Sequence, residues 1–467
     1  MTAAVRVAVL GASGYAGGEL VRLLVRHPRV ELVAVAGSSR AGEPMAAVFP
    51  HLRGIVDLDL ADAARPALWD ELEPDLVFLA LPHGQAAELL GRVFAAAADR
   101  GVRVIDLSGD LRLPADLYEP WYGRPAADPA LQAQAVYGLS ELFAPRIRDA
   151  RLVANPGCYA TAVLLALAPL AAAGGLAGGQ VVIDAKSGVS GAGRGASAAT
   201  AFAEVNENFY PYKVGRHQHT PEVEHVLAQL AGRPVTVLLT THLLPVTRGI
   251  LATCYVRPPE GWWPSPPAGD RPTAAVMAAD AVMTADAVVP EAAAPPGGAR
   301  RPTTAGSSGV GGDRQREALT GGSRGAAGVA SRRSTAAVAT DPDQRQPTPG
   351  PGPEPVPGAG AVPRPRPAAP ATAADLAAAL HDLYRGFYGG RPFVRVLPPG
   401  QVPAIKNVQG SNFCDLGVHY DPRSGWITVF AAIDNLVKGA AGQAVQNLNL
   451  MAGWDETTGL DLVPLFP

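Results

Sequence analysis

The chain opens on a mostly apolar, β-branched run, Val5-Arg6-Val7-Ala8-Val9-Leu10, that stops at Gly11-Ala12-Ser13-Gly14-Tyr15-Ala16-Gly17. Leucines at Leu20, Leu23 and Leu24 then take up helical spacing. A glycine-bounded run of this kind predicts a strand, and apolar positions three and four apart predict one face of a helix. Further strand-like runs follow at Leu32 to Ala36, Leu76 to Ala80 and Val102 to Ile105, at the distances βαβ units require. The pattern predicts a doubly wound α/β domain.

Beyond residue 155 the pattern changes. A long apolar helix is expected from Ala160 to about Leu170, then strands at Val181 to Ala185 and Val235 to Thr240, separated by loops rich in glycine and histidine. Thr220 is placed to cap a helix beginning at Pro221, with His217 and His219 just ahead of it. A helix near Ala374 to Tyr388, a run at Phe393 to Leu397 and a strand at Trp426 to Phe430 complete a second, mixed domain. From Ile433 to Leu448, Ile433, Leu436, Val437, Ala440, Ala441, Ala444, Val445 and Leu448 fall on one helical face. Gly439 and Gly442 interrupt it, which predicts close backbone approach to a neighbour or to a cofactor.

Between about Pro258 and Ala371 the sequence is dominated by Pro, Gly, Ala, Ser, Thr and Arg and carries almost no periodic apolar positions. Such a segment cannot bury enough surface to offset its ordering entropy, so a disordered insertion is expected, with a transient helix in the Ala/Val-rich stretch 275–294 as the exception.

Composition narrows the function. The 467 residues are 48% hydrophobic with a net charge of −3, and no lysine or arginine cluster suits nucleic acid or an anionic membrane surface. Cys158, Cys254 and Cys414 are too few and too scattered for a disulfide framework or a paired zinc site. The chain runs straight into a strand without a charged-then-apolar leader, and no apolar stretch is long enough to span a bilayer. The expectation is a soluble cytoplasmic protein with a small-molecule partner and no metal site.

The glycines after the first strand would let a pyrophosphate approach the backbone at a helix N-terminus, through Gly11, Ser13, Gly14, Tyr15 and Gly17. The second strand ends in Gly37-Ser38-Ser39-Arg40, hydroxyls and a cation rather than the acidic residue that accepts from an NAD ribose, so Ser38 and Arg40 favour NADP. The alternative for Arg40 is an ordinary solvated arginine. The strands ending at Pro82 and Arg112 run out where ligands of open sheets bind. Arg112 suits a phosphate or carboxylate, or else a structural ion pair with Asp106 or Asp110. Arg194, in the loop that begins Ser187-Gly188, suits an anionic substrate, or else belongs to a plain glycine-rich connection.

Cys158 is the candidate nucleophile. It follows Asn155-Pro156-Gly157 at the mouth of the long apolar helix, where unpaired N–H groups and the helix dipole favour thiolate and lower the expected pKa. His217 and His219 are the candidate acid/base pair for that thiol, with a metal pair as the rival reading and no third ligand nearby.

Taken together, Gly11 to Leu20, Asn155 to Thr161, His217 to Glu222, Gly410 to Asp415 and Asp434 to Ala444 make the chain resemble the N-acetyl-γ-glutamyl-phosphate reductases, arginine-pathway relatives of aspartate-semialdehyde dehydrogenase. The resemblance implies an α/β fold with a Rossmann-like NADP-binding domain over 1–157, completed by a C-terminal helix of about 433–467. An α+β catalytic and dimerisation domain would span 158–257 and 372–432, with 258–371 as the long disordered insertion. It implies NADPH-dependent reduction of N-acetyl-L-glutamyl 5-phosphate to the 5-semialdehyde, with release of phosphate, through a thioester on Cys158. A histidine would be the acid/base, with His219 slightly favoured over His217. Pro82, Gly188 and Asn435 join the expected cofactor contacts, and Asn155 joins Arg112 and Arg194 at the substrate. A homo-oligomer, dimer or tetramer, is expected. The competing readings are a reductase of a related acyl phosphate, a cysteine hydrolase and a nucleotide-binding module without turnover.

Overall fold

The opening apolar run is the central strand of a parallel sheet. The computed structural model describes residues 4–37, 40–63, 65, 71–96, 101–264 and 372–466. Up to residue 154 the elements are β1 (Val5–Leu10), α1 (Tyr15–Leu24), β2 (Val30–Gly37), β3 (Leu60–Asp62), β4 (Leu76–Leu79), α2 (Gln85–Ala96), β5 (Arg103–Asp106), β6 (Ala135–Tyr137), α3 (Ser140–Asp149) and β7 (Leu152–Ala154). The seven strands lie in the order β3-β2-β1-β4-β5-β7-β6 and every neighbouring pair is parallel. Val7 to Leu10 and Leu76 to Leu79 are buried on both faces, as a helix-covered sheet requires. The chain leaves β1 toward one edge and β4 toward the other, so a crevice opens beyond the carboxyl ends of these two strands.

A second sheet follows. Its elements are α4 (Cys158–Ala172), β8 (Gln180–Gly188), β9 (Tyr210–Tyr212), α5 (His219–Ala231), β10 (Leu238–Leu244), β11 (Ile250–Arg257), α6 (Ala373–Phe387), β12 (Val394–Val396), β13 (Cys414–Asp421), β14 (Trp426–Ile433) and α7 (Gly442–Met451). The strand order is β12-β13-β14-β11-β8-β10-β9, of mixed direction. β8 alternates: Val181, Ile183 and Ala185 are buried, while Val182, Asp184 and Lys186 are half-buried. One face is therefore covered and the other open. α4 is apolar all round and buried from Tyr159 to Ala171, as befits a central helix. Pro169 within it has no N–H for the Leu165 carbonyl, and the Tyr388 hydroxyl supplies that donor instead.

Several boundaries differ from the pattern's prediction. The strand expected from Val235 begins at Leu238, because the preceding residues lead out of α5 and Val237 N–H is taken by the Glu224 carboxylate. Pro258 to Pro264, grouped with the insertion by composition, belong to the folded body: Trp262 donates to Ala173 O at 2.8 Å and its ring lies against Gly175. The described residues continue from Thr372, whose hydroxyl accepts from Asp375 N–H to cap α6. The stretch 275–294 lies outside the described residues.

The largest departure is at the C-terminus. The predicted helix over 433–448 is three elements: β14 runs on through Ile433, Asp434 caps the turn by accepting from Leu436 and Val437 N–H, and a turn of π-helix precedes α7. Gly439 N–H to Asp434 O and Ala441 N–H to Leu436 O are the five-residue bonds that define it. No helix follows Met451 among the described residues. All ten residues of α7 are buried, the polar side included. Gln443 donates to Gly138 O and Ser140 Oγ, Asn447 to Gly138 O and Asn155 Oδ1, and Gln446 to Glu141 Oε1, each within 2.8–3.0 Å. Lys438, fully buried, reaches Glu141 at 2.6 Å. The helix packs against α1, α3 and β5, so its polar face meets protein instead of water.

Candidate active site

A cleft of about 1230 Å³ runs from the turn after β1 to the start of α4. At one end, Gly11 takes a left-handed φ of 78°, and a methyl group on it would strike the Ala80 carbonyl after β4. Gly17 has no room for a side chain against the Gly11 carbonyl, so its role is to seat α1 on the turn. Gly14 is the N-cap of α1 with no side-chain cap, which leaves the first N–H groups of the helix open to the cleft beside Ser13 and Tyr15. Uncapped donors, a positive helix end and glycines where only backbone fits form a cradle suited to a dinucleotide pyrophosphate. Pro82 borders the same space.

Arg40 borders the cleft but is not a bare solvated arginine: its guanidinium is bidentate to Glu43, at 2.5 and 3.0 Å. Ser38 lies outside the described residues. Arg194 borders the cleft, donates to Ser13 O and Val48 O and stacks over Phe49, tying its glycine-rich loop to the nucleotide turn. Gly188 packs against the Thr247–Arg248 backbone and donates to Gly249 O, away from the cleft lining. Asn435 accepts from Gly249 N–H at 2.7 Å and donates to Ser190 Oγ at 2.9 Å, so it shapes this loop from the cleft wall.

At the other end stands Cys158, the first residue of α4, with Gly157 as its N-cap. Its environment does not lower the thiol pKa as the helix position alone predicts. Burial pushes the thiol up to about 11, outweighing the Tyr159 N–H and the Arg112 charge that favour thiolate. The thiol is held as a protonated group that needs a base.

The two histidines are near that base position. α5 begins at His219 itself, not at Pro221, and the two imidazoles lie 4.8 Å apart. A methyl group on Gly157 would strike His219 Nε2, so this ring lies against the backbone immediately before the thiol. Burial, joined by Arg112, His83 and Lys213, holds His219 well below its ordinary pKa, and its Nδ1 has no partner among the described residues. His217 is pushed down to about 2 by burial; it sits edge-on to Tyr159 and Tyr212, and its Nδ1 accepts from His219 N–H at 3.2 Å. Among the described residues no group of three or more His, Cys, Asp or Glu could hold a metal ion.

Arg112 does not pair with Asp106 or Asp110. Asp106 serves Ser108, and Asp110 accepts from Gly84 and Ala87 N–H and from the Tyr118 hydroxyl. Arg112 is buried, donating to Asn155 O and Leu107 O at 2.8 Å each and facing Glu222 at 3.4 Å. Asn155 is likewise engaged: its Nδ2 donates to Ala440 O and its Oδ1 accepts from Asn447. Both residues border the thiol, yet their polar groups already have protein partners.

Glu222 and Lys213 emerge although the sequence did not single them out, and Gly439 makes the close backbone approach that its place in the pattern predicted. Glu222 accepts from Gly157 N–H and the Tyr137 hydroxyl; its place three after His219, on the same helix face, was the available signal. Gly439 presses on Cys158, and its interruption of an apolar helical pattern was a visible cue. Lys213, held in the left-handed region at φ 48° on the cleft wall, donates to the neutral Gln218 amide oxygen at 2.8 Å. Nothing local distinguishes it in the sequence.

Comparison with known proteins adds the following. Residues 6–150 match the family described as semialdehyde dehydrogenase, NAD binding domain, and residues 158–264 and 368–435 match semialdehyde dehydrogenase, dimerisation domain. The N-acetyl-gamma-glutamyl-phosphate reductase of Desulforudis audaxviator is 40% identical over 464 residues, covering 99% of this chain and 100% of that protein. That of Bacillus subtilis is 38% identical over 464 residues, with the same coverage. Among solved structures, aspartate semialdehyde dehydrogenase II from Vibrio cholerae, complexed with ASA, is similar with a TM-score of 0.56 at 14% identity, covering 97% of this chain and 99% of its own. The Candida albicans aspartate semialdehyde dehydrogenase with NADP gives a TM-score of 0.50 at 13% identity, covering 96% of this chain and 99% of its own.

Proposed function

Because this chain belongs to the semialdehyde dehydrogenase family, among its N-acetyl-γ-glutamyl-phosphate reductases, we infer that its cleft reduces an acyl phosphate. The reaction is the NADPH-dependent conversion of N-acetyl-L-glutamyl 5-phosphate to N-acetyl-L-glutamate 5-semialdehyde and phosphate, a step of arginine biosynthesis. The observation that carries the reading is one cleft with a glycine turn suited to phosphate at one end and, at the other, a thiol on the first residue of a helix beside a neutral imidazole.

The cofactor NADP(H) supplies a hydride when bound. The residues that would hold it are Gly11, Ser13, Gly14 and Tyr15 at the pyrophosphate, and Arg40 at the 2′-phosphate once Glu43 releases it. Arg194 acts indirectly, by steadying the Ser13 carbonyl.

His219, kept neutral by burial, takes the Cys158 proton, and the sulfur attacks the acyl carbon. The acyl C–O bond to phosphate breaks, leaving a thioester on Cys158. With the hydride that bound NADPH would supply, the thioester would leave as aldehyde, the C–S bond breaking and the Cys158 sulfur recovering its proton from His219. His219 is preferred over His217 as the base because its Nε2 lies at Gly157, while His217 spends Nδ1 on the His219 backbone. With Arg112 and Arg194 engaged elsewhere, Lys213 is the cation best placed to meet the phosphoryl group.

The family's dimerisation domain supports an oligomer, and the open face of the second sheet, with Leu238 61% and Tyr255 38% exposed, is the surface we assign to it. The formal charge of −3 gives no footprint for nucleic acid. Among the described residues no helix is long and apolar enough to cross a membrane, and a reducing, NADPH-supplied cytoplasm suits three unpaired cysteines.

The test is reverse turnover: NADP reduction by the purified protein with N-acetyl-glutamate 5-semialdehyde and phosphate, beside the same assay with aspartate semialdehyde. Turnover of the second substrate alone would overturn the assignment.

A further inference from the structure

The Asn155-Pro156-Gly157 turn that presents Cys158 is gripped from two sides. Arg112 Nε donates to the Asn155 carbonyl at 2.8 Å, and Glu222 Oε1 accepts the Gly157 N–H at 2.8 Å. Pro156, between them, has no N–H to offer, so these are groups through which the turn can be fixed. The two charges face each other at 3.4 Å with side chains 4% and 0% exposed, and each has a second anchor: Leu107 O for Arg112, the Tyr137 hydroxyl at 2.7 Å for Glu222. Arg112 comes from beyond β5, Tyr137 from β6 and Glu222 from α5, so the grip joins the two sheets at the nucleophile.

We propose that the Arg112–Glu222 ion pair is the positioning device of the nucleophile, fixing the turn before Cys158 so that the sulfur stands where the acyl carbon arrives. A buried ion pair is a poor way to gain stability, since desolvation offsets most of its attraction, and its usefulness lies in geometry. Arg112 and Glu222 are positioning residues, and neither needs to touch substrate. The proposal rests on Cys158 being the nucleophile.

The pair also balances the field at the thiol. Arg112 favours thiolate and Glu222 opposes it, while Tyr159 and Tyr212, hydroxyls in contact at 3.2 Å, and the His219 imidazole are the other titratable groups facing the sulfur. Removing only the Glu222 charge would leave Arg112 unopposed.

Glu222→Gln retains an acceptor for Gly157 N–H and loses the charge; Glu222→Ala loses both. We expect Glu222→Ala to lower kcat about 100-fold with KM for NADPH unchanged, as misplacing a reacting atom does. Glu222→Gln should restore most of that loss. In the ligand-free protein, the pH profile of iodoacetamide alkylation at Cys158, followed by peptide mass, should move to lower pH in Glu222→Gln than in the unaltered chain. Equal impairment of the two variants with superimposable alkylation profiles would overturn the proposal, as would parallel changes in kcat and KM for NADPH. The alkylation profile of the isosteric Glu222→Gln variant decides the matter even where Glu222→Ala fails to fold. Cys158→Ala separates the two readings: persisting turnover there removes the cysteine mechanism, whereas the alkylation profiles report the grip on that residue's turn independently.

Discussion

Gly439 stands against Cys158 so closely that a methyl group on it would fall 2.8 Å from the cysteine Cβ. The turn of π-helix brings this glycine to the thiol, and the same added methyl would lie 3.4 Å from the Asp434 carbonyl, against which it has little room to retreat. Gly439→Ala should displace the sulfur or the turn. The expected result is a kcat lowered on the order of 100-fold with NADPH affinity unchanged, and a loss of roughly 1–3 kcal/mol in unfolding free energy from overpacking. Steady-state kinetics and urea unfolding check both, and wild-type kcat in this variant would contradict the close approach.

Arg40 and Glu43 should pull NADPH affinity in opposite directions. The Glu43 carboxylate holds the guanidinium that we assign to the 2′-phosphate. Arg40→Ala should weaken binding of 2′,5′-ADP about tenfold by removing a charge-assisted contact, with 5′-ADP unaffected. Glu43→Gln should tighten 2′,5′-ADP. Calorimetric titration of the two nucleotides measures this, and equal affinities in all three proteins would show that Arg40 plays no part in cofactor choice.

Glu19 makes stability depend on acid. Burial raises its pKa, but hydrogen bonds from Arg248 and Arg22 outweigh that and bring it from 4.5 to about 2. Its ionised form is favoured in the folded chain, so the stabilisation is present above pH 4.5 and drains away as pH falls toward 2. A shift of this size corresponds to about 3 kcal/mol for a group this well buried. Glu19→Gln should be less stable at neutral pH and should lose less stability across the acid window. Denaturant unfolding at several pH values tests it, and parallel curves for the two proteins would refute it.

Residues 265–367 are matched by neither family model, while the segments flanking them are matched by the same one. Pro264 and Leu376 line one small cavity of about 170 Å³, so the ends of the excursion are neighbours. Joining Pro264 to Thr372 through a short flexible linker should leave kcat and Tm essentially unchanged, because closing a loop depends only weakly on its length. A variant that folds but has lost activity would give the excised segment a catalytic role.

Much of the fold was legible because local patterns and tertiary environment agree. The run Val5 to Leu10 is apolar because both of its faces are covered, and Gly11 is glycine because the backbone there has a positive φ. Cys158 was readable as a helix-start residue, but its protonation was not, since burial overrides the helix terminus and no local pattern records burial. The ion-pair alternative for Arg112 named Asp106 and Asp110, the nearby acids, because its actual partner, Glu222, is 110 residues away in sequence. The polar side of α7 reads as a solvent face by period alone, yet it is buried against Ser140, Glu141 and Asn155. Periodicity gives the faces of a helix but not what lies opposite each.

That last helix sets the order in which the enzyme can come into being. Asn155 is joined to Ala440, 285 positions later, and the glycine that abuts the thiol lies in the same late segment. The parallel sheet and the cysteine leave the ribosome long before their partners are made, since domains emerge from the N-terminus onward. Until Met451 has been added, the surface that α7 covers is bare, and the nucleophile's surroundings are unfinished. Synthesis itself therefore withholds a complete active site until nearly the whole chain exists.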